Sequence, residues 1–418
     1  MIARPDSVSR KDANISAKHH WRTYADNLDG VTESHKRRTR RYRILGHAQS
    51  LLIKADVRSE RSGNVHRTRM CHAATSHSSD SVTISLTKDE LNSEATITGV
   101  QTCGCVWACP VCVHKVMIEK GQLIQKAIAW SDTVGLIPVM ITLTASHHAG
   151  MSLKWFRDRF KAAYQTFTNH RKWRDFKRIF GVRHHIANVE ITRGDNGWHY
   201  HKHLLLFMDK TVISQSLDGK EVYNFLAQYW LDCLAKNELT GIDEIALDVS
   251  THGNVGEQYL TKIGLSHKEG NLEFELTGQV NKSGMSIWDI LKRSYSGNEY
   301  YSYLYLEFVR EMTGENFLTC SHGLNDILEE LKLPESEGDN APKTAEFEEW
   351  LDLSPRMWYV VKKAKIYHEI LDIAARSRNV VKVIEHIRHT HDELIRLGEW
   401  LPPLHMKPDW IDSLEGSE

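Results

Sequence analysis

IANVEITRGDNGWHYHKHLLLF, residues 186–207, is the stretch on which the fold turns. IANVEIT (186–192) and WHYHKHLLLF (198–207) are rich in β-formers, and the RGDNG between them is a turn-rich connector, so the segment predicts a β-hairpin. Side chains alternate across a strand, so His199, His201 and His203 should emerge from one face at ~6.6 Å intervals. A hairpin centred on Asp195 and Asn196 then sets Glu190 opposite His201, Asn188 opposite His203 and Thr192 opposite His199. A mixed nitrogen and oxygen face of this kind suits Mg²⁺ or Mn²⁺ when a phosphate supplies the remaining ligands. A solvent-facing histidine strand and a catalytic zinc site are the competing readings of the same row.

Outward from the hairpin, strand and helix signals interleave. SVTISLT (81–87) alternates like a strand, a helical stretch covers 113–130, and IPVMITLTAS (137–146) is a β-rich run. LKWFRDRFKAAYQTFTNHRKWRDF (153–176) carries aromatic residues at helical spacing, with Trp155, Arg157, Arg159, Arg171, Lys172 and Trp173 as candidate nucleic-acid contacts. A helix near 220–236, a short strand in IALDVS (245–250) and a helix near 254–264 follow. From 285 onward the chain reads as mostly helical, with a linker at LPESEGDNAP (333–342). The expected class is α+β, a largely antiparallel sheet with packed helices.

At 418 residues the chain is long enough for two or three domains. Apolar residues at 41% and charged residues at 26% suit a soluble protein, and no run approaches the ~18 apolar residues of a membrane span. The polar opening MIARPDSVSRKDANISAKHH has no signal-peptide pattern, so the expected compartment is the cytoplasm, with no membrane partner. A net charge of -1 names no polyanionic partner, and its distribution says more. HKRRTRRYR (35–43) places Lys36, Arg37, Arg38, Arg40, Arg41 and Arg43 together without an acid, a pattern suited to phosphate contacts and also to a solvated basic tail. The first ~60 residues read as a flexible or loosely packed arm, and beyond Ile327 the balance turns acidic.

CGCVWACPVC brings Cys103, Cys105, Cys109 and Cys112 together, a density that in a cytosolic protein points to metal. Cys109 and Cys112 have zinc-knuckle spacing; Cys103 is a natural third ligand, and Cys71 or Cys105 the fourth. In NVGEQYLTKIG (254–264), Tyr259 and Lys262 share a helical face, and an ammonium neighbour favours a phenolate nucleophile. A packed tyrosine beside a snorkelling lysine is the plainer alternative. Tyr295, Tyr300, Tyr301, Tyr303 and Tyr305 read as packing residues.

In this order the motifs resemble those of plasmid rolling-circle replication initiators of the HUH endonuclease superfamily. TCGCVWACPVC resembles the cysteine block ahead of the nuclease core, with Cys71 of RMCHAA in the place of an upstream cysteine. VMITLTASHHAG resembles the first strand motif, NVEITRGDNGWHYHKHLLLF the histidine motif, EQYLTK the tyrosine motif, and LYLEFVREMTGENFLTCSHGL the segment that follows. The resemblance covers about 70–330 and continues more faintly to 375.

The resemblance implies His201 and His203 as the metal-binding pair, Glu190 as the acidic ligand, Tyr259 as nucleophile and Lys262 one turn later. It favours Cys71, Cys103, Cys109 and Cys112 as the structural Zn²⁺ set over one containing Cys105. Lys202 stands where a hydrophobic residue is usual, which leaves His199 with His201 as an alternative pair. Val255 stands where some relatives carry a terminating glutamate. The implied order is a basic arm (1–65), a zinc module (66–120), a nicking and joining domain with an HUH-type sheet (121–270), a helical continuation (271–332) and a helical C-terminal region (333–418). The implied activity is initiation of plasmid replication: nicking of single- or double-stranded origin DNA through a 5′-phosphotyrosine, with a free 3′-hydroxyl as primer, and later rejoining. Origin DNA, a host helicase, a polymerase and a second copy of the chain are the implied partners. The rival readings are a transposase or relaxase of the same chemistry, a zinc-containing DNA-binding regulator, and a zinc hydrolase of small molecules.

Overall fold

The computed structural model describes residues 33–58, 63–76, 78–79, 81–88, 93–213, 219–251, 255, 284–331, 347–401 and 404, without the side chains of 33–37. In chain order the elements are α1 (Glu33–Lys54), β1 (Val82–Thr87), β2 (Ala95–Thr98), α2 (Pro110–Thr133), β3 (Leu136–Leu143), α3 (Leu153–Asn169), α4 (Arg171–Ile179), β4 (Val182–Gly194) and β5 (Gly197–Asp209). They continue with α5 (Lys220–Lys236), β6 (Leu247–Ser250), α6 (Ile287–Tyr295), α7 (Glu299–Met312), β7 (Leu318–Cys320), α8 (Leu324–Glu330), β8 (Phe347–Leu353), α9 (Pro355–Ala364), α10 (Tyr367–Ser377) and α11 (Val380–Arg396). The class is α+β with antiparallel sheets and a helical C-terminal region. No helix among the described residues is long and apolar enough to cross a membrane.

Two compact units divide the chain, one of residues 1–46, 70–102 and 342–418, the other of 47–69 and 103–341. The larger contains a five-stranded antiparallel sheet in the order β6-β3-β5-β4-β7. Its central strand, β5, is covered on both faces, which is why HLLLF stops alternating and becomes a continuous apolar run. On one face Tyr200 meets Phe156 and Phe160 of α3. On the other, Leu205 and Phe207 pack in a core with Ile124, Ala127 and Trp130 of α2, Leu324 and Leu328 of α8, and Val255.

The smaller unit is built on a three-stranded antiparallel sheet, β2-β1-β8, whose central strand β1 is buried at every position. Its core joins Val82, Ile84 and Leu86 to apolar residues of α9, α10 and α11. The acidic FEEWLDL, not expected as a strand, pairs with β1 as an edge, its glutamates exposed to water.

Residues 33–54, inside the stretch read as a loose arm, form one 22-residue helix. Ile44, Leu45, Ala48 and Leu52 make its buried stripe. Within the smaller unit Arg38 donates to Asp372 at 2.6 Å and to the Ala95 carbonyl at 2.8 Å, so its charge is spent inside the protein. Arg40 is exposed, Arg41 and Arg43 are half-buried, and the side chains of Lys36 and Arg37 lie outside the described residues. The stretch 153–176 is two helices, because His170 takes an extended backbone and its ring accepts from the Lys172 amide, capping α4. Trp173 is buried among Phe167 and Phe176, and Arg157 is ion-paired to Glu311 at 3.1 Å, so neither is a surface contact.

Candidate functional site

The hairpin forms with the expected register: Glu190 opposite His201, Asn188 opposite His203, and Thr192 opposite His199. The other flank of β5 adds what a hairpin alone cannot show. β3 pairs with β5 so that Thr142 stands opposite His203, and the chain continues to Thr144. Thr142 Oγ1 lies 3.0 Å from His203 Nδ1, and Thr144 Oγ1 lies 2.9 Å from His201 Nδ1. Each ring is thereby held at Nδ1, and the two imidazole planes are parallel to within 1°. The Nε2 of His203 then meets β4, and that of His201 meets His199 on its own strand.

Glu190 is opposite His201, yet its carboxylate reaches diagonally to His203, whose Nε2 donates to Oε2 at 2.7 Å. Nε2 of His201 lies 2.8 Å from Nδ1 of His199, whose ring lies 4.3 Å, centroid to centroid, from His147. Burial, reinforced by the neighbouring His147, pushes the His199 pKa down to about 4, with Glu190 opposing. His199 is therefore a neutral imidazole at pH 7, able to share a proton or a lone pair. Exposure increases along the row, from buried His203 to half-buried His201 and His199. Beside His203, Asn188 is 1% exposed, and neither its amide nitrogen nor its oxygen has a hydrogen-bond partner among the described residues. A buried amide left so costs about 1–3 kcal/mol, which a ligand or water at this face would relieve.

Lys202 does not interrupt the row. It emerges on the opposite face, its ammonium 4.3 Å from the Tyr164 ring centroid, and burial lowers its pKa to about 8. No protein-family model, curated protein or solved structure matches this chain. The site is therefore read from its own chemistry.

A second centre is made of thiols. Cys71, Cys103, Cys109 and Cys112 are all buried, and their sulfurs lie within 4.8 Å of one another. Cys103 and Cys112 sulfurs are 3.7 Å apart, close to the ~3.8 Å between corners of a tetrahedron with Zn–S of about 2.3 Å. Such a cluster can bind a structural metal such as zinc. Cys105 is outside it: its backbone N–H donates to the Cys103 sulfur, and burial pushes its own thiol up to about 11. Cys109 is also the N-cap of α2, its sulfur accepting from the Cys112 amide at 3.4 Å, with Pro110 opening the helix.

Tyr259 and Lys262 lie outside the described residues. Val255, four positions before the tyrosine, is 3% exposed in the apolar core on the histidine side of the sheet. A glutamate there would be buried among Ile124, Trp130 and Leu205, which accounts for valine at that position. Sequence reasoning missed Thr142, Thr144 and His147. Thr142 and Thr144 were visible only as alternate residues of ITLT, and their partners depend on a non-local strand pairing.

Proposed function

We propose that this protein is a metal-dependent DNA nicking and joining enzyme that initiates rolling-circle replication of a plasmid. The observation that carries the proposal is the pair His201 and His203 on the central strand, each fixed at Nδ1 by a threonine, with Glu190 at 2.7 Å from His203 Nε2. Two imidazoles and a carboxylate sharing one face are a donor set that suits Mg²⁺ or Mn²⁺, and the unpartnered Asn188 amide beside them fits a site whose polar contacts are completed by a ligand. His201, His203 and Glu190 would hold the ion, with His199 flanking. When bound, it supplies Lewis-acid polarisation of a phosphodiester.

The remaining chemistry belongs to the chain. Thr142 and Thr144 set the ring orientations. The phenol oxygen of Tyr259 bonds to phosphorus while the bond to the 3′ oxygen breaks; the phenol gives up its proton and the departing oxygen gains one. The products are a 5′-phosphotyrosine and a 3′-hydroxyl, the primer for a polymerase. One phosphoester is exchanged for another, so attack by a 3′-hydroxyl on the phosphotyrosine rejoins the strand without a nucleoside triphosphate. Lys262 favours the phenolate.

Denaturing electrophoresis with Mn²⁺ and 3′-labelled single strands of the replicon tests this. Label should travel with the wild-type protein and not with Tyr259→Phe or metal-free protein. Intact DNA binding with no adduct on any fragment would favour a DNA-binding regulator, and adducts confined to insertion-end or transfer-origin strands a transposase or relaxase. The threonines carry a separate expectation. Replacing Thr142 or Thr144 by valine keeps the shape and removes the contact at Nδ1, and should weaken Mn²⁺ binding about 10–100-fold by calorimetry. Unchanged affinity would remove the threonines from the site.

A further inference from the structure

The tyrosines of 295–305 do not share one role. Tyr305 is fully buried, its hydroxyl donating to the Ala108 carbonyl at 2.8 Å. Tyr295, Tyr300 and Tyr303 are instead 46%, 55% and 61% exposed around the corner between α6 and α7. Tyr300 and Tyr303 are three positions apart on α7 and share its outer face. Among the described residues of 287–312, the large exposed hydrophobics are all tyrosines.

Guanidinium groups are interleaved with the rings. Arg193 donates to the Tyr300 hydroxyl at 3.1 Å, and Arg293 donates to the Tyr301 hydroxyl at 2.8 Å while lying 5.3 Å from that ring's centroid. Of the nearby carboxylates, Asp289 caps α6 and Glu307 accepts from Trp198 and from the Leu153 amide, so Glu299 is the exposed acid at the corner. Arg193 stands next to Thr192, the residue opposite His199, but its guanidinium lies over Trp198 on the other face. The corner therefore adjoins the end of the hairpin and not the imidazole row itself.

We propose that this corner binds single-stranded DNA, stacking unpaired bases on Tyr300 and Tyr303 with Arg193 and Arg293 at the phosphates. Bases in a duplex are already stacked and offer no free face, whereas a single strand offers one at every nucleotide. A protein partner would more naturally require an aliphatic or large apolar centre, which this patch lacks. The choice of DNA over RNA rests on the nicking function proposed above, and the bound segment would flank the scissile phosphate.

Fluorescence anisotropy of the full chain with a labelled oligodeoxythymidylate of about 20 nucleotides tests the surface. It is measured in a Tyr259→Phe background so that no nicking is needed. Replacing Tyr300 and Tyr303 together by alanine should weaken binding at least about tenfold, while phenylalanine at both positions retains it. Duplex binding and thermal stability should be unchanged, since both rings are exposed. Arg293→Gln should make the logarithmic salt slope shallower by about 0.7. Unchanged affinity in the alanine pair, an equal loss for duplex, or tighter binding of oligouridylate than of oligodeoxythymidylate would overturn the proposal. Normal binding by the alanine pair with a wild-type adduct present would leave nicking standing without this surface. Loss of binding with no wild-type adduct would do the reverse.

Discussion

Purified protein should contain about one zinc per chain by elemental analysis, and Cys109→Ser should lose both the metal and much of the stability. The four sulfurs of Cys71, Cys103, Cys109 and Cys112 lie within 4.8 Å of one another in a buried setting. Apparent binding free energies of about 10–16 kcal/mol are known for structural zinc in small domains, so losing one of four thiolates should cost at least several kcal/mol. At about 2–4 °C per kcal/mol that lowers the melting midpoint by about 10 °C or more. Cys105→Ser is the internal control, since Cys105 is outside the cluster: metal content and midpoint should stay where they were. Retention of zinc by Cys109→Ser, or its loss from Cys105→Ser, would show a different ligand set.

Arg38→Ala should destabilise the smaller unit by about 3–5 kcal/mol, measured as a fall in the urea midpoint. Asp372 is 1% exposed and its carboxylate is held by Arg38 at 2.6 Å, with the Thr39 hydroxyl at 3.4 Å. Removing the guanidinium takes a 2.6 Å ion pair away from a buried carboxylate, the costly half of breaking such a pair. Arg40→Ala, in the same basic run but exposed, should change stability by less than about 0.5 kcal/mol. Replacing Arg38 and Asp372 together by methionine and leucine should restore much of the loss. Weakened DNA binding by Arg38→Ala at unaltered stability would return that arginine to the DNA surface.

What the sequence disclosed follows the range of the interactions. The hairpin was legible with its register because RGDNG and the alternating histidines are local, and α2, α5 and β3 show their periodicity within a single window. Thr142 and Thr144 were hidden because they matter only once β3 lies beside β5, and no local pattern specifies that neighbour. The same holds for FEEWLDL, whose acids show in the sequence only as part of the acidic balance beyond Ile327 and whose strand character comes from pairing with β1. Arg38 misled for a related reason: six basic residues in a row of nine look alike until the helix turns one of them towards Asp372. The tyrosines of α7 differ only in which side of a helix they occupy. Tyr259 and Lys262 remain sequence-based assignments.

Cys109 begins α2, and α2 runs 24 residues from Pro110 to Thr133. Near its far end Trp130 meets Phe207, which stands on β5 four positions beyond His203. Cys109, one of the four clustered thiols, thus also fastens one end of a beam that packs on the sheet face carrying the imidazoles. Any displacement of Cys109 is thereby passed, through a single helix, to the strand on which His203 stands.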